Sequence, residues 1–301
     1  MTAIVEPRTD LPGLRETSVE TAAPSLGRWI RSVARWAAEV ALLAALYSAY
    51  ARIRDNEGAE QSIHAVGSAQ AHGLAVLHLE QGLGLAWEHG IQRVFFHVSW
   101  LLKCFDVFYA VAHVGVTAAV LMLLAVAARR RYSLARNALA IGTAIALIVF
   151  ALDPTMPPRL LDQSHAVDTL ATVGGVWSFH TPAIEKIADP FAAMPSLHLL
   201  WAVWCAAAMW SLCRRRWQRR LAAAYPILTG VVVVATGNHW LLDLVAGAVL
   251  AWVSWWLALR IQASMDRRSA RRGATPAGAV LSVDGLVANG GPLDRALETV
   301  A

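Results

Sequence analysis

The sequence predicts an all-α fold, a polytopic membrane helical bundle with about six transmembrane spans and interfacial helices on its outer side. Three observations predict it. The 301 residues are 57% hydrophobic with mean hydropathy +0.46. Only 16% are charged, where a soluble domain carries about 25%. The arginines gather in short runs that punctuate the apolar stretches instead of spreading over a surface. Apolar composition on this scale needs lipid as its solvent.

A span takes about 20 predominantly apolar residues, and the candidates are 30–51, 99–128, 133–152, 196–213, 221–237 and 239–260. Pro226 interrupts the fifth, and Gly237 with Asn238 turns the chain tightly into the sixth. Arg28, Arg31 and Arg35 precede the first span, and Arg129, Arg130, Arg131 and Arg136 join the second to the third. Arg214, Arg215, Arg216, Arg219 and Arg220 join the fourth to the fifth, and Arg260, Arg267, Arg268, Arg271 and Arg272 close the sixth. Alternate connections are therefore basic, which puts them and both termini in the cytoplasm. The opposite connections, 52–98, 153–195 and the turn at 237–239, then face outward. The 153–195 loop holds Asp153, Asp162, Asp168, Glu185 and Asp189 against Arg159 and Lys186, as an exported loop should.

Residues 1–27 and 263–301 are polar and read as disordered cytoplasmic tails around a membrane-embedded domain at 28–262. The first 25 or so residues lack the apolar core of a cleavable signal, so the first span is expected to act as an uncleaved anchor in the inner (plasma) membrane. The 58–98 stretch mixes Leu, Val, Phe and Trp with Glu57, Glu60, Glu80, Glu88 and several histidines. It reads as amphipathic helices at the outer interface, broken near Gly82 and Gly84, or as a soluble cap packed on the spans.

The net charge of +5 reflects topology, so no nucleic-acid partner is implied. Cys104, Cys205 and Cys213 lie in apolar stretches without ligand spacing, so neither a disulfide framework nor a metal site is expected. No cofactor is indicated.

Most of the ten histidines are ordinary amphipathic or loop residues. His113 is different, since it falls within the second span beside Tyr109, one turn earlier. The pair serves either helix–helix hydrogen bonding or a polar cavity. His198 and His239 stand apart by position. His198 ends Met194-Pro195-Ser196-Leu197-His198, where an apolar helix starts directly after the exported loop. The amides and dipole of that first turn suit an anion, and Ser196 adds a hydroxyl. His239 opens the sixth span with Asp243 four residues on, a spacing that projects both from one helix face. A carboxylate there can fix the imidazole tautomer and leave the other nitrogen to attack. Span five returns the chain outward, so both histidines reach the same side. In Asp153-Pro154-Thr155-Met156-Pro157-Pro158-Arg159, paired prolines stiffen the segment and Arg159 offers a planar fork for two phosphate oxygens, for a lipid headgroup or for the acidic loop. Ser196, Asn238 and Arg159 are the candidate substrate-binding residues.

Met-Pro-Ser-Leu-His at 194–198 and His-Trp-Leu-Leu-Asp at 239–243 resemble the second and third signatures of the type-2 phosphatidic acid phosphatase superfamily. The proline-rich run ending at Arg159, and Ala188-Asp189-Pro190-Phe191-Ala192-Ala193, are similar to its branch related to inositol-phosphorylceramide synthases. The resemblance implies a metal-independent lipid phosphatase or phosphotransferase acting on a lipid phosphate or phosphodiester. It implies that His239 forms a phosphohistidine, that Asp243 orients it, that His198 protonates the leaving alkoxide, and that Ser196 with neighbouring amides stabilises the equatorial oxygens. Two family cations are absent: the positions they would hold are Leu152 and Val233. That loss argues against a dense cationic cradle and favours the transferase-related branch. The reading from another class is a transporter or scaffold, with His113, His198 and His239 as a proton relay or packing set.

Overall fold

The computed structural model describes residues 59–172, 189–210 and 212–273, with a few positions between 27 and 41. Its helices are α1 (Ala59–Leu83), α2 (Glu88–Phe96), α3 (Ser99–Ala127), α4 (Arg129–Leu152), the single turn α5 (Thr169–Thr172), α6 (Leu197–Trp210), α7 (Arg216–Ala235) and α8 (Leu241–Gly273). Among the described residues there is no strand, only an isolated parallel bridge between Thr155 and Ala192. The all-α expectation agrees with this.

Among the described residues three helices are long and apolar enough to cross a membrane: Ser99–Ala127, Arg131–Leu152 and Leu241–Arg268. The expected fourth span is the apolar helix α6, whose 14 residues extend only about 21 Å, short of the ~30 Å hydrocarbon core. The expected fifth is α7, which carries Arg216, Arg219 and Arg220 in its opening turns and Pro226 inside. The expected first span, 30–51, lies almost wholly outside the described residues. Glu39, which is described, pairs with Arg136 at 2.8 Å and accepts from the Tyr132 hydroxyl. At the other end of the chain, α8 runs to Gly273, past the expected boundary at 262. Arg and Ala propagate a helix well, and basic groups suit its C-terminal dipole.

α6 is the hub of the bundle, touching α3, α4, α7 and α8. It is apolar all round, and Leu199, Leu200, Ala202, Trp204, Cys205 and Ala208 are all buried, as expected for a helix enclosed by others. At its far end Trp204 packs with Leu121, Leu124, Ala135, Leu139 and Ala258. The Trp204 indole N–H is satisfied by the Ala135 carbonyl at 2.8 Å. At its near end α8 approaches so closely that a Cβ on Gly247 would stand 2.5 Å from the Ser196 carbonyl oxygen.

The 58–98 stretch forms two helices separated by Gly84, whose φ of +69° suits glycine. Gly84 N donates to Gln81 O and Leu85 N to Glu80 O, closing the end of α1. Both helices pack on the bundle as a cap. Ala69 and Leu77 of α1 bury against Met156, Leu161, Ala193 and Trp240. α2 turns a polar face inward, with Glu88 and Gln92 buried. The same helix leaves Val94 and Phe96 exposed, so its packing fits both the interfacial helix and the packed cap expected from the sequence.

Candidate functional site

Two chain reversals build the site, one entering α6 and one entering α8. Ser196 is the N-cap of α6: its Oγ accepts from Leu199 N at 3.3 Å. His198 therefore lies in the first helical turn, as its sequence position suggests. Before α8 the chain turns at Gly237, φ +72°. A Cβ there would crowd Val167 O, Arg159 Cβ and Gln92 Nε2 at 3.1–3.2 Å.

His239 differs from expectation in one respect. α8 begins at Leu241, so His239 precedes the helix and does not share a helical face with Asp243. Asp243 is instead the third helical residue, and its Oδ2 accepts from Trp240 N at 2.9 Å, one half of a capping box. That same oxygen lies 3.3 Å from His239 Nδ1. The Ala193 carbonyl is closer to Nδ1, at 2.9 Å. Both neighbours of Nδ1 are acceptors, so Nδ1 carries the hydrogen and Nε2 keeps its lone pair. The carboxylate was legible at i+4; the carbonyl, 46 positions away, had no local signal.

The His198 and His239 rings meet edge to face with centroids 5.6 Å apart. Tyr109 stacks on His198 at 4.1 Å and 19° between planes. His113 tilts against it at 4.2 Å and is itself fixed by an Nδ1 contact with Tyr109 O at 3.1 Å. The two residues singled out in the second span thus wall the His198 imidazole. His198 Nε2 is buried with no hydrogen-bond partner among the described residues.

Arg159 reaches the same turn through its backbone, with N donating to Gly237 O at 2.9 Å. Its guanidinium is paired with Asp168 at 2.8 Å, and Nε is buried without a partner among the described residues. Asn238 is buried and donates to Thr236 Oγ1 at 2.8 Å, which stiffens the turn. The Ala188–Ala193 motif is described from Asp189 on. There Asp189 Oδ1 caps Phe191 N, and the Thr155–Ala193 backbone bond ties this run to the proline-rich one.

Three further residues have no counterpart in the sequence reading. Gln92 bridges Val167 by both ends of its amide, at 2.7 Å each, and also reaches Ala235 O. Glu88 Oε1 accepts from Leu241 N at 3.0 Å and Glu80 Oε1 from Leu242 N at 2.7 Å. In the sequence the two glutamates stood only as polar residues of an amphipathic stretch. Burial, followed by the approach of Glu88, pushes the Glu80 carboxyl up to about 9.

An apolar groove of about 400 Å³ lies between α2, α6, α7 and α8, with Ile91, Leu199, Val231, Val234, Leu241 and Leu244 among its walls; neither His198 nor His239 lines it. Leu199 follows His198 directly, and Leu241 is two residues beyond His239.

A family model described as the PAP2 superfamily matches residues 74–257, more than half of the chain. That segment contains every residue of the site described above. No curated protein and no solved structure matches the chain significantly.

Proposed function

Because the chain belongs to the PAP2 superfamily, whose membership points to a phosphatase-type phosphoesterase, we propose that it is a membrane lipid phosphatase or phosphotransferase. The observation that carries the proposal is the pairing of His239, its Nδ1 held by Ala193 O and Asp243, with His198 at 5.6 Å. The helices around the site that are apolar enough to cross a membrane support a lipid substrate.

In this reading His239 Nε2 attacks phosphorus and the bond to the leaving lipid oxygen breaks. His198 delivers a proton to that oxygen. Asp243 and the Ala193 carbonyl stabilise the cationic imidazole as it forms. Water, or a lipid alcohol, then attacks the phosphohistidine, and His198 takes its proton. Free phosphate or a new phosphoester leaves. Ser196, Asn238, Arg159 and the first amides of α6 are the proposed hold on the phosphoryl oxygens. The reaction needs no divalent metal on this scheme. The Leu152 and Val233 positions, without family cations, favour a phosphodiester donor and transfer to an alcohol. The six-span topology, with cytoplasmic termini and a site facing away from the cytoplasm in the inner membrane, belongs to the same proposal.

The test is turnover by purified full-length chain in EDTA with phosphatidate, isoprenoid diphosphates and phosphoinositides, with and without ceramide or diacylglycerol as acceptor. Free phosphate identifies hydrolysis, and a new phospholipid identifies transfer. Loss of turnover in His239→Ala and in His198→Ala is expected. Full activity in the His239 variant would overturn the mechanism.

A further inference from the structure

The first amides of a helix have no partner within it and must find one elsewhere. In α8 three consecutive amides each meet a carboxylate. Trp240 N donates to Asp243 at 2.9 Å, Leu241 N to Glu88 at 3.0 Å and Leu242 N to Glu80 at 2.7 Å. Only the first of these caps is local. Glu80 and Glu88 come from 162 and 153 positions away, one on each side of the Gly84 break. They are 0% and 4% exposed, so the cap reaches into the bundle with acids and grips the turn that presents His239.

Packing alone does not call for this. Burying a carboxyl group is costly, and two apolar side chains would fill the space without that cost. Glu80 Oε2 is buried and finds no donor among the described residues. A second carboxyl, Glu88, lies beside it, and Asp243 is near enough to repel it. A group so placed is tolerated with a proton on it, as the upward shift to about 9 indicates. Neutral Glu80 still accepts from Leu242 N, and it does so without adding negative charge where a phosphate must arrive.

We infer that Glu80 and Glu88 are positioning residues that clamp the first turn of α8 and thereby hold His239 in register with His198. The inference rests on the assignment of His239 as nucleophile under the proposed function. Neither glutamate touches substrate; each acts through the backbone of Leu241 or Leu242. Displacing a reacting group by about 1 Å costs on the order of 10²-fold in rate, so releasing one grip should be felt mainly in kcat.

The experiment takes full-length wild type, Glu80→Ala, Glu88→Ala, Glu80→Gln and His239→Ala in detergent. Two quantities are read: turnover on whichever of phosphatidate, isoprenoid diphosphate or phosphoinositide the wild type uses, and amide hydrogen exchange across 240–242. Each alanine variant is expected to lose roughly 10- to 100-fold in kcat, with KM changed by less than about threefold. Exchange at Leu241 or Leu242 should rise while that in α3 and α4 stays as in wild type. Glu80→Gln, a neutral isostere that still accepts from Leu242 N, should recover most of the loss. The clamp is overturned if both alanine variants keep wild-type kcat while His239→Ala is inactive, or if exchange at 240–242 is unchanged. If the wild type turns over none of the three, the proposed function fails, and the exchange measurement still decides the clamp.

Discussion

The backbone amide of Ser196 donates to the backbone oxygen of Asp243 at 3.1 Å. This single bond joins the start of α6 to the first turn of α8. Ser196 caps the helix that carries His198, and Asp243 lies beside His239, so the bond ties together the two segments that bear the imidazoles. It is possible only because Gly247, one turn along α8, has no side chain to hold Ser196 away.

Gly247→Ala therefore tests the juxtaposition from outside the chemistry. The added Cβ meets backbone, which cannot rotate aside, and overpacking of this kind costs about 1–3 kcal/mol. Reduced thermal stability and a kcat lowered by about tenfold or more are expected. Gly67→Ala is the control, since a Cβ there meets nothing within 4 Å and helix propensity favours it by roughly 1 kcal/mol. Differential scanning fluorimetry and steady-state kinetics on both variants check this.

Asp243→Asn keeps an acceptor for Trp240 N but removes the charge beside His239 Nδ1. The imidazolium formed on attack would lose its counter-charge, so kcat should fall by at least about 10²-fold while the protein stays folded. The Ala193 carbonyl still holds the tautomer, which is why a residual rate above that of His239→Ala is expected. A rate equal to wild type would remove Asp243 from the mechanism.

Tyr109 stacks on His198 through its ring face. Tyr109→Phe preserves that contact and Tyr109→Ala abolishes it; the alanine variant should lose roughly tenfold in kcat, at about 1.4 kcal/mol per decade, and the phenylalanine variant much less. Equal losses would assign the effect to the hydroxyl instead of the stack.

Arg159 and Asp168 should respond in opposite directions. If the guanidinium serves phosphate, Arg159→Ala raises KM for an anionic lipid. Asp168→Ala frees the fork and lowers KM, by about threefold to tenfold for a partner of this kind. A purely structural ion pair, whose two side chains are 15% and 19% exposed, would give reduced stability in both variants and no divergence in KM.

Glu80 makes stability depend on pH with a definite sign. Its folded value of about 9 lies above the ordinary 4.5, so between these limits the folded protein binds the extra proton. Stability then falls as pH rises through that window, the contribution being fully present below 4.5 and lost above about 9. Wild type and Glu80→Gln, its neutral isostere, should have similar thermal midpoints near pH 5, and wild type should fall progressively below the variant toward pH 9. A difference independent of pH would mean that Glu80 keeps its ordinary ionisation.

Much of this protein was legible because its signals are local in sequence. Apolar stretches of helical length marked α3, α4 and α8, since lipid selects for continuous apolar side chains. Ser196 and His198 could be placed on a helix start because Pro-Ser is a capping pattern, and Asp243 could be paired with His239 because the two are four residues apart. The family resemblance rested on those same short motifs. What lay beyond the sequence were contacts between distant segments, which leave no periodic trace. The Ala193 carbonyl on His239, the Tyr109 stack on His198 and the Asp168 partner of Arg159 each depend on how loops and helices meet. The same holds for His239 itself: its place before α8, and not upon it, accompanies the turn at Gly237 and the grip of Glu88 and Glu80 on the first amides of the helix. The sequence alone thus marked the residues proposed to carry the chemistry and the helix ends near which they stand. Tertiary structure decided their distances, their tautomer and their supports, because those depend on backbone groups that every residue possesses and that only folding brings together.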